Sequence, residues 1–146
     1  MLTSPTEVRS RVMASIRSRD TTPELVLRRA LHARGLRYRL HVKSLPGSPD
    51  VCFPKWRAVL LVNGCFWHRH EGCPNATTPR SNARYWREKF KRNVERDRQN
   101  INALIAQGWR VGVVWECWIG KQLFQAQALE LISFVRSSSA SLAEWP

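Results

Sequence analysis

Negative charge is scarce in this sequence. There are 11 Asp and Glu against 24 Lys and Arg, a formal net charge of +13. On so small a chain that excess is the footprint of a polyanionic partner, most often nucleic acid, and it speaks against a merely basic soluble protein. Long hydrophobic runs are missing as well. No stretch approaches the roughly 20 apolar residues that cross a bilayer, which excludes a membrane-spanning helix. The opening MLTSPTEVRS has no apolar signal core, so a cytoplasmic protein is expected. Cysteine is limited to Cys52, Cys65, Cys73 and Cys117. In a reducing compartment these suggest metal binding or core packing, not disulfides. There is no internal repeat and no linker. The 146 residues, 43% hydrophobic, suit one domain with a sizeable core.

Helix and strand signals punctuate the chain. Ser4-Pro5-Thr6-Glu7 reads as a capping box with Pro at the first helical position and predicts a helix over about 4–18, with Val8, Val12, Met13 and Ile16 on its apolar side. A second helix starts at Thr21 or Thr22, takes Glu24 into its first turn and stops at Gly35. LRYRLHV alternates, with Leu36, Tyr38, Leu40 and Val42 on one face and Arg37, Arg39 and His41 on the other, as in a half-buried strand. LPGSPD is a turn, VCF a short strand and WRAVLLVNG a longer apolar one. A long helix from Ser81 or Asn82 to Gly108 repeats Trp86, Phe90, Val94, Ile101 and Leu104 near helical spacing, and Arg and Lys fill most other positions. WRVGVVWEC predicts a further strand, 121–136 a last helix and 137–146 a flexible tail. The order α-α-β-β-β-α-β-α makes an α/β domain over 1–136, a mixed central sheet flanked by helices, with the long helix as a crossover.

The stretch NGCFWHRHEGC, residues 63–73, concentrates the chemistry. Cys65, His70 and Cys73 form C-x4-H-x2-C, and Cys117 closes the strand WRVGVVWEC. Three thiolates and an imidazole make a closed tetrahedral set suited to structural zinc. The bland alternative is free thiols, with Cys117 a buried strand residue. Cys52, inside an apolar strand, reads as core. His68 is left over, either a general base or a surface histidine. Asp50 opens a strand beside a basic surface and reads as a Mg²⁺ ligand or a turn aspartate. Glu24 favours its helix dipole, and Glu95 and Asp97 read as ion-pair partners of neighbouring arginines. A second absence sharpens the question. Many magnesium nucleases follow P-D with (D/E)-x-K on the next strand, but here Val62-Asn63-Gly64 stands in place of the acid and the lysine. Phe66 and Trp67, adjacent on a polar loop, and Tyr85 and Trp86 on the basic helix suit wedges or stacking platforms for bases, or else a small satellite core.

Taken together, RSRVMASIRSRDTTPE, LPGSPDV, VNGCFWH, YWREKFKRNVERD and GWRVGVVWEC, which cover nearly the whole chain in order, resemble the very-short-patch-repair (Vsr) DNA mismatch endonucleases. The resemblance implies a restriction-endonuclease-like fold with a structural zinc site. It implies Mg²⁺-dependent nicking of one strand on the 5′ side of T in a T:G mispair. It also implies a bacterial, nucleoid-associated monomer acting on double-stranded DNA, with general mismatch-repair proteins as further partners. By position, Asp50 and the main-chain carbonyl of Val62 look like the Mg²⁺ ligands, His68 like the base, and Glu24 like an active-site acid acting through water. Asn63, histidine in some members, looks like a residue that orients water or phosphate. Cys65, His70, Cys73 and Cys117 look like the zinc set. Phe66, Trp67 and Trp86 look like the wedge, with Met13 and Ile16 approaching from the minor groove and Lys89 and Asn93 among the DNA-binding residues.

Two other readings stay open at this level: a restriction-type endonuclease that cuts both strands of a perfect site, and a zinc-stabilised DNA-binding module without catalysis. Whichever holds, the charge excess predicts DNA affinity that falls steeply with salt, measured by titrating labelled duplex across ionic strengths. A flat response would remove the charge argument.

Overall fold

The computed structural model of the chain describes residues 20–120 and 124–146. The helix expected at about 4–18, with Met13 and Ile16, lies outside the described residues. Helix α1 (Thr22–Ala33) begins as expected. Thr21 is its cap, with the hydroxyl accepting from the Glu24 N–H, and Pro23 sits in the first turn. A five-stranded mixed sheet follows in the order β1 (Arg39–Leu40), β2 (Val51–Phe53), β3 (Ala58–Asn63), β4 (Arg110–Trp115), β5 (Leu142–Trp145). β1, β2 and β3 pair antiparallel; β3, β4 and β5 pair parallel. Parallel neighbours need long crossovers. Helix α2 (Ala83–Ala106) joins β3 to β4, and the one-turn α3 (Glu116–Ile119) with α4 (Phe124–Ser137) joins β4 to β5.

Period-two alternation sends neighbouring residues of the central strands to opposite faces. Ala58, Leu60 and Val114 join Leu27 and Leu31 of α1 and Leu131 and Val135 of α4 in one core. Val59, Val111, Val113 and Trp115 pack with Cys52 and Leu104 in the other, beneath α2. Cys52 is thus a packed core residue, as its apolar strand suggested. On α2 the expected spacing holds for Trp86, Phe90 and Leu104, which are buried. Val94 is exposed instead, and Asn93 takes the inward place.

Two segments depart from expectation. LRYRLHV pairs for only two residues, because His41 takes a left-handed backbone (φ 47°) that ends the strand. His41, expected on the outer polar face, is thereby turned inward. The tail at 137–146 is not loose over its whole length: Leu142–Trp145 is the edge strand β5. Trp145 is buried, donates from Nε1 to Glu130 (3.2 Å) and packs edge-on against Phe134. Gly112 on β4 makes room for it, since a Cβ there would come within 2.9 Å of the Trp145 ring and 2.6 Å of Leu60. Arg110 ties the same corner, donating to the carbonyls of Phe134, Val135 and Trp56. Those first two are among the last carbonyls of α4, which have no partner within the helix.

Trp145→Ala should therefore cost about 3–5 kcal/mol of stability, read from denaturant midpoints. A loss under about 1 kcal/mol would mean that β5 is dispensable to the core.

Candidate active site

The parallel register of β3 and β4 sets Asn63 opposite Trp115. The loop after Asn63 and the turn after Trp115 therefore leave the sheet side by side. That brings Cys65, His70 and Cys73 to Cys117, which sits on α3 just beyond the strand. The four donor atoms all lie within 4.8 Å of one another, and this cluster could hold a metal ion. His70 Nδ1 is 3.5 Å from Cys65 Sγ and 3.4 Å from Cys117 Sγ. A tetrahedral Zn–S, Zn–N pair has an edge of about 3.6 Å, so the donor set fits zinc in kind and spacing. Burial pushes the Cys65 thiol up to about 12; the Cys117 N–H lowers it, while the Cys117 and Cys73 thiols raise it further, as expected of a thiol cluster whose thiolates need a cation. Trp115 stacks flat on the His70 ring at 4.2 Å, and Cys65 N–H donates to Glu116 Oε1 (2.9 Å).

The same loop delivers His68. Its Nδ1 lies 2.6 Å from Asp97 Oδ2 on α2. An ionised carboxylate only accepts, so a proton sits on Nδ1, and in the neutral ring the lone pair is then on Nε2. Asp97, read from sequence as an arginine's partner, is here the residue that orients His68. Glu95 alone keeps the surface role, with Arg98. No spacing rule links residues 29 apart, and within so basic a helix an extra aspartate resembles a solvated partner.

Asp50, Val62, Asn63, His68 and Asp97 line one cavity of about 310 Å³, and His41 lines it too. Asp50 sits at the start of β2, where antiparallel pairing brings it beside the end of β3. Its Oδ2 accepts the Val62 N–H at 2.7 Å. Burial, with Glu24 nearby, nonetheless raises its carboxyl to about 6; the Val62 N–H, His41 and His68 only partly offset this. A part-buried carboxylate short of positive charge, with one oxygen uncommitted to hydrogen bonds, fits a hard divalent cation. Glu24 does not line this cavity. Its Oε2 is taken by Arg28 (2.8 Å) and by the Asp20 N–H (3.0 Å), and it reaches toward Asp50 by way of His41. Asp20, Arg28 and His41 carried no motif in the sequence.

The expected wedge residues form one aromatic group. Phe66 meets Trp67, Trp86 and Phe90 edge-on at 5.0–5.8 Å. Phe66 and Trp67 remain half-buried, so the group is a satellite core with one open side. Lys89 lies over Trp67, while Asn93, expected among the DNA contacts, is buried and donates to the Trp67 carbonyl (3.2 Å), bracing the loop. Arg69 ties the loop's far end through the carbonyls of Phe66, Ala76 and Thr77. Arg84, Arg87, Lys91, Arg92 and Arg96 are exposed along α2. Among the described residues, no helix is long and apolar enough to cross a membrane.

A basic helix, an aromatic group and a carboxylate–imidazole cavity are the parts of a phosphodiester-cleaving protein. The family model for DNA mismatch endonuclease Vsr matches residues 3–74. The DNA mismatch endonuclease Vsr of Escherichia coli is 42% identical over 83% of this chain and 78% of its own length. Type II nicking enzyme V.XorIIP of Xanthomonas oryzae pv. oryzae is 50% identical over 76% of this chain and 81% of its own. Type II nicking enzyme V.NmeAIP of Neisseria meningitidis is 42% identical over 77% and 79%. The chain belongs to the Vsr DNA mismatch endonuclease family and is a DNA endonuclease, a hydrolase. The non-catalytic binding module is thereby set aside.

The geometry predicts three different melting shifts in zinc-containing, magnesium-free buffer. His70→Ala should melt markedly lower, by loss of a clasp ligand. His68→Ala should stay within about 1 kcal/mol of the parent. Because burial raises the Asp50 carboxyl above its unfolded value of 3.8, stability falls as pH rises from there to about 6, and the deficit is complete at neutral pH. Asp50→Asn should thus stabilise, by at most about 3 kcal/mol. Equal losses for His68 and His70, or a destabilised Asp50→Asn, would undo this division.

Proposed function

We propose that the protein is a Mg²⁺-dependent endonuclease that nicks one strand on the 5′ side of T in a T:G mispair, initiating repair of deaminated 5-methylcytosine. The observation that carries the reading is the meeting of Asp50 and an Asp97-oriented His68 in one cavity, on the loop that also bears the half-exposed aromatics. The relative from Escherichia coli, named a mismatch endonuclease, supports the mispair as substrate.

The basic face of α2 meets phosphates first, with Lys89 among the contacts. Phe66, Trp67 and Trp86 press into the stack at the mispair, where unstacking costs least, with Met13 and Ile16 on the minor-groove side. Asp50 and the Val62 carbonyl would hold Mg²⁺, with Glu24 supporting through its network. Bound there, the ion would supply charge for the scissile phosphate and the leaving oxygen. His68 Nε2 takes the proton of the attacking water, and Asp97 holds the imidazole in the required tautomer and stabilises the charge it gains. Asn63, on the cavity wall, orients water or phosphate. Cys65, His70, Cys73 and Cys117 would hold Zn²⁺, and the loop they anchor would then keep His68 in place. The protein works as a cytoplasmic monomer on duplex DNA and hands its nick to general repair proteins.

The names of the nicking-enzyme relatives support a cut in one strand only. The deciding measurement is strand scission on a labelled duplex with one T:G mispair beside its T:A twin, in several contexts, with and without Mg²⁺. A single Mg²⁺-dependent nick 5′ to the mispaired T, absent from the twin, is expected. His68→Ala should slow it by about a hundred- to ten-thousandfold. Cutting of the matched twin would replace mispair recognition with a restriction-type activity.

A further inference from the structure

The two halves of the candidate site come from different parts of the fold. Asp50 closes the connection from β1 to β2, whereas Asp97, which orients His68, lies on α2. The Val62 N–H ties the Asp50 carboxylate to the sheet. Its distance from α2 is set by a separate contact, three residues earlier in the chain.

Leu45-Pro46-Gly47-Ser48 is a tight turn. The Ser48 N–H donates to the Leu45 carbonyl (3.1 Å), Pro46 holds the second position, and Gly47 takes φ +74° at the third. That is a type II turn, which favours glycine there. Gly47 is needed for a second reason. A Cβ at this position would come within 2.9 Å of Asn100 Nδ2, 3.0 Å of its Cγ and 3.1 Å of its Cβ. The amide could swing aside by a rotamer change, but Asn100 Cβ is fixed to the helix backbone. The turn thus sits directly on α2, with Leu45 and Ile101 packed against one core beside it. Asn100 is one helical turn beyond Asp97 and on the same face. Both line the cavity, as do Gly47 and Asp50. Between Gly47 and Asp50 there is little slack. Ser48 is also left-handed (φ 47°), and Pro49 is buried with its φ fixed by the ring.

We propose that Gly47 and Asn100 are a positioning pair. Their fit is the gauge that sets how far the Asp50 carboxylate stands from His68 and Asp97. Neither residue touches the phosphate; both act through Asp50. The inference rests on the reading that Asp50 and His68 work on one phosphate.

Two readouts on the full-length, zinc-loaded protein test it: nicking of the T:G duplex with Mg²⁺, and the Val62 amide resonance without Mg²⁺, which reports the Asp50 hydrogen bond. Gly47→Ala should lower kcat about tenfold with KM for the duplex near parental, and should shift the Val62 resonance. Adding Asn100→Gly, which removes the opposing side chain, should recover most of both changes. Asn100→Leu, close to asparagine in shape but without the amide, should nick at near-parental rate. Gly35→Ala is the control for left-handed strain alone, since Gly35 has φ +87° and nothing within 4 Å of an added Cβ. It should lower the melting midpoint and leave both readouts unmoved. Parental readouts in Gly47→Ala, or no recovery in the double variant, would overturn the gauge. A large kcat loss in Asn100→Leu would overturn it too, by giving the amide a direct part. If Gly47→Ala does not fold, Asn100→Gly decides: a parental Val62 resonance in it would overturn the gauge. Parental nicking in Asp50→Asn would remove the underlying reading and the inference with it. If the parent does not nick this duplex, the proposed substrate fails and the Val62 resonance alone decides the gauge.

Discussion

The site depends on one register. Because β3 and β4 run parallel with Asn63 beside Trp115, two connections leave the sheet together at the same end. One carries Cys65, His68, His70 and Cys73; the other carries Cys117 and, through Trp115, the ring that stacks on His70. A slip of one residue would turn the strand's side chains to the wrong face and part Cys117 from its partners. The α2 crossover that parallel pairing demands also brings Asp97 to His68. Pairing, clasp and imidazole orientation are therefore consequences of the same backbone alignment.

Charge is arranged around that alignment in two opposite ways. Outside, α2 holds an excess of cations against solvent, where each costs little and all add to a field that attracts phosphate. Inside, the shortage is of cations. Asp50 is half-buried with one backbone donor to its carboxylate, and Glu24 and Asp20 are satisfied by Arg28. A protein rich in Lys and Arg that leaves one half-buried carboxylate short of them has the profile of a site prepared for an added ion.

Much of this was legible in the residues alone. Apolar runs disclosed β2, β3 and β4, the Thr21 cap disclosed α1, and the Cys/His spacing pointed to the cluster that could hold a metal. β5 was not legible, because LAEW is short, carries a glutamate and sits beside a serine run. It is held by a distant fit, Trp145 over Gly112, that no local pattern encodes. β1 was overread because alternation says nothing of a residue that turns left-handed, and the same turn hid His41. Asp97 was misjudged because its partner is remote in sequence. The backbone was visible where physics is local; the networks behind Asp50 and His68 were not, since each joins elements that meet only in the folded chain.

The margins of the sheet carry a consequence of their own. β1 has two residues and ends at the His41 turn; β5 has four. Margins this brief give an incoming strand few rungs to climb, so open-edge stacking of one molecule on another is poorly templated. A protein that gathers at high local density along a polyanion gains from that.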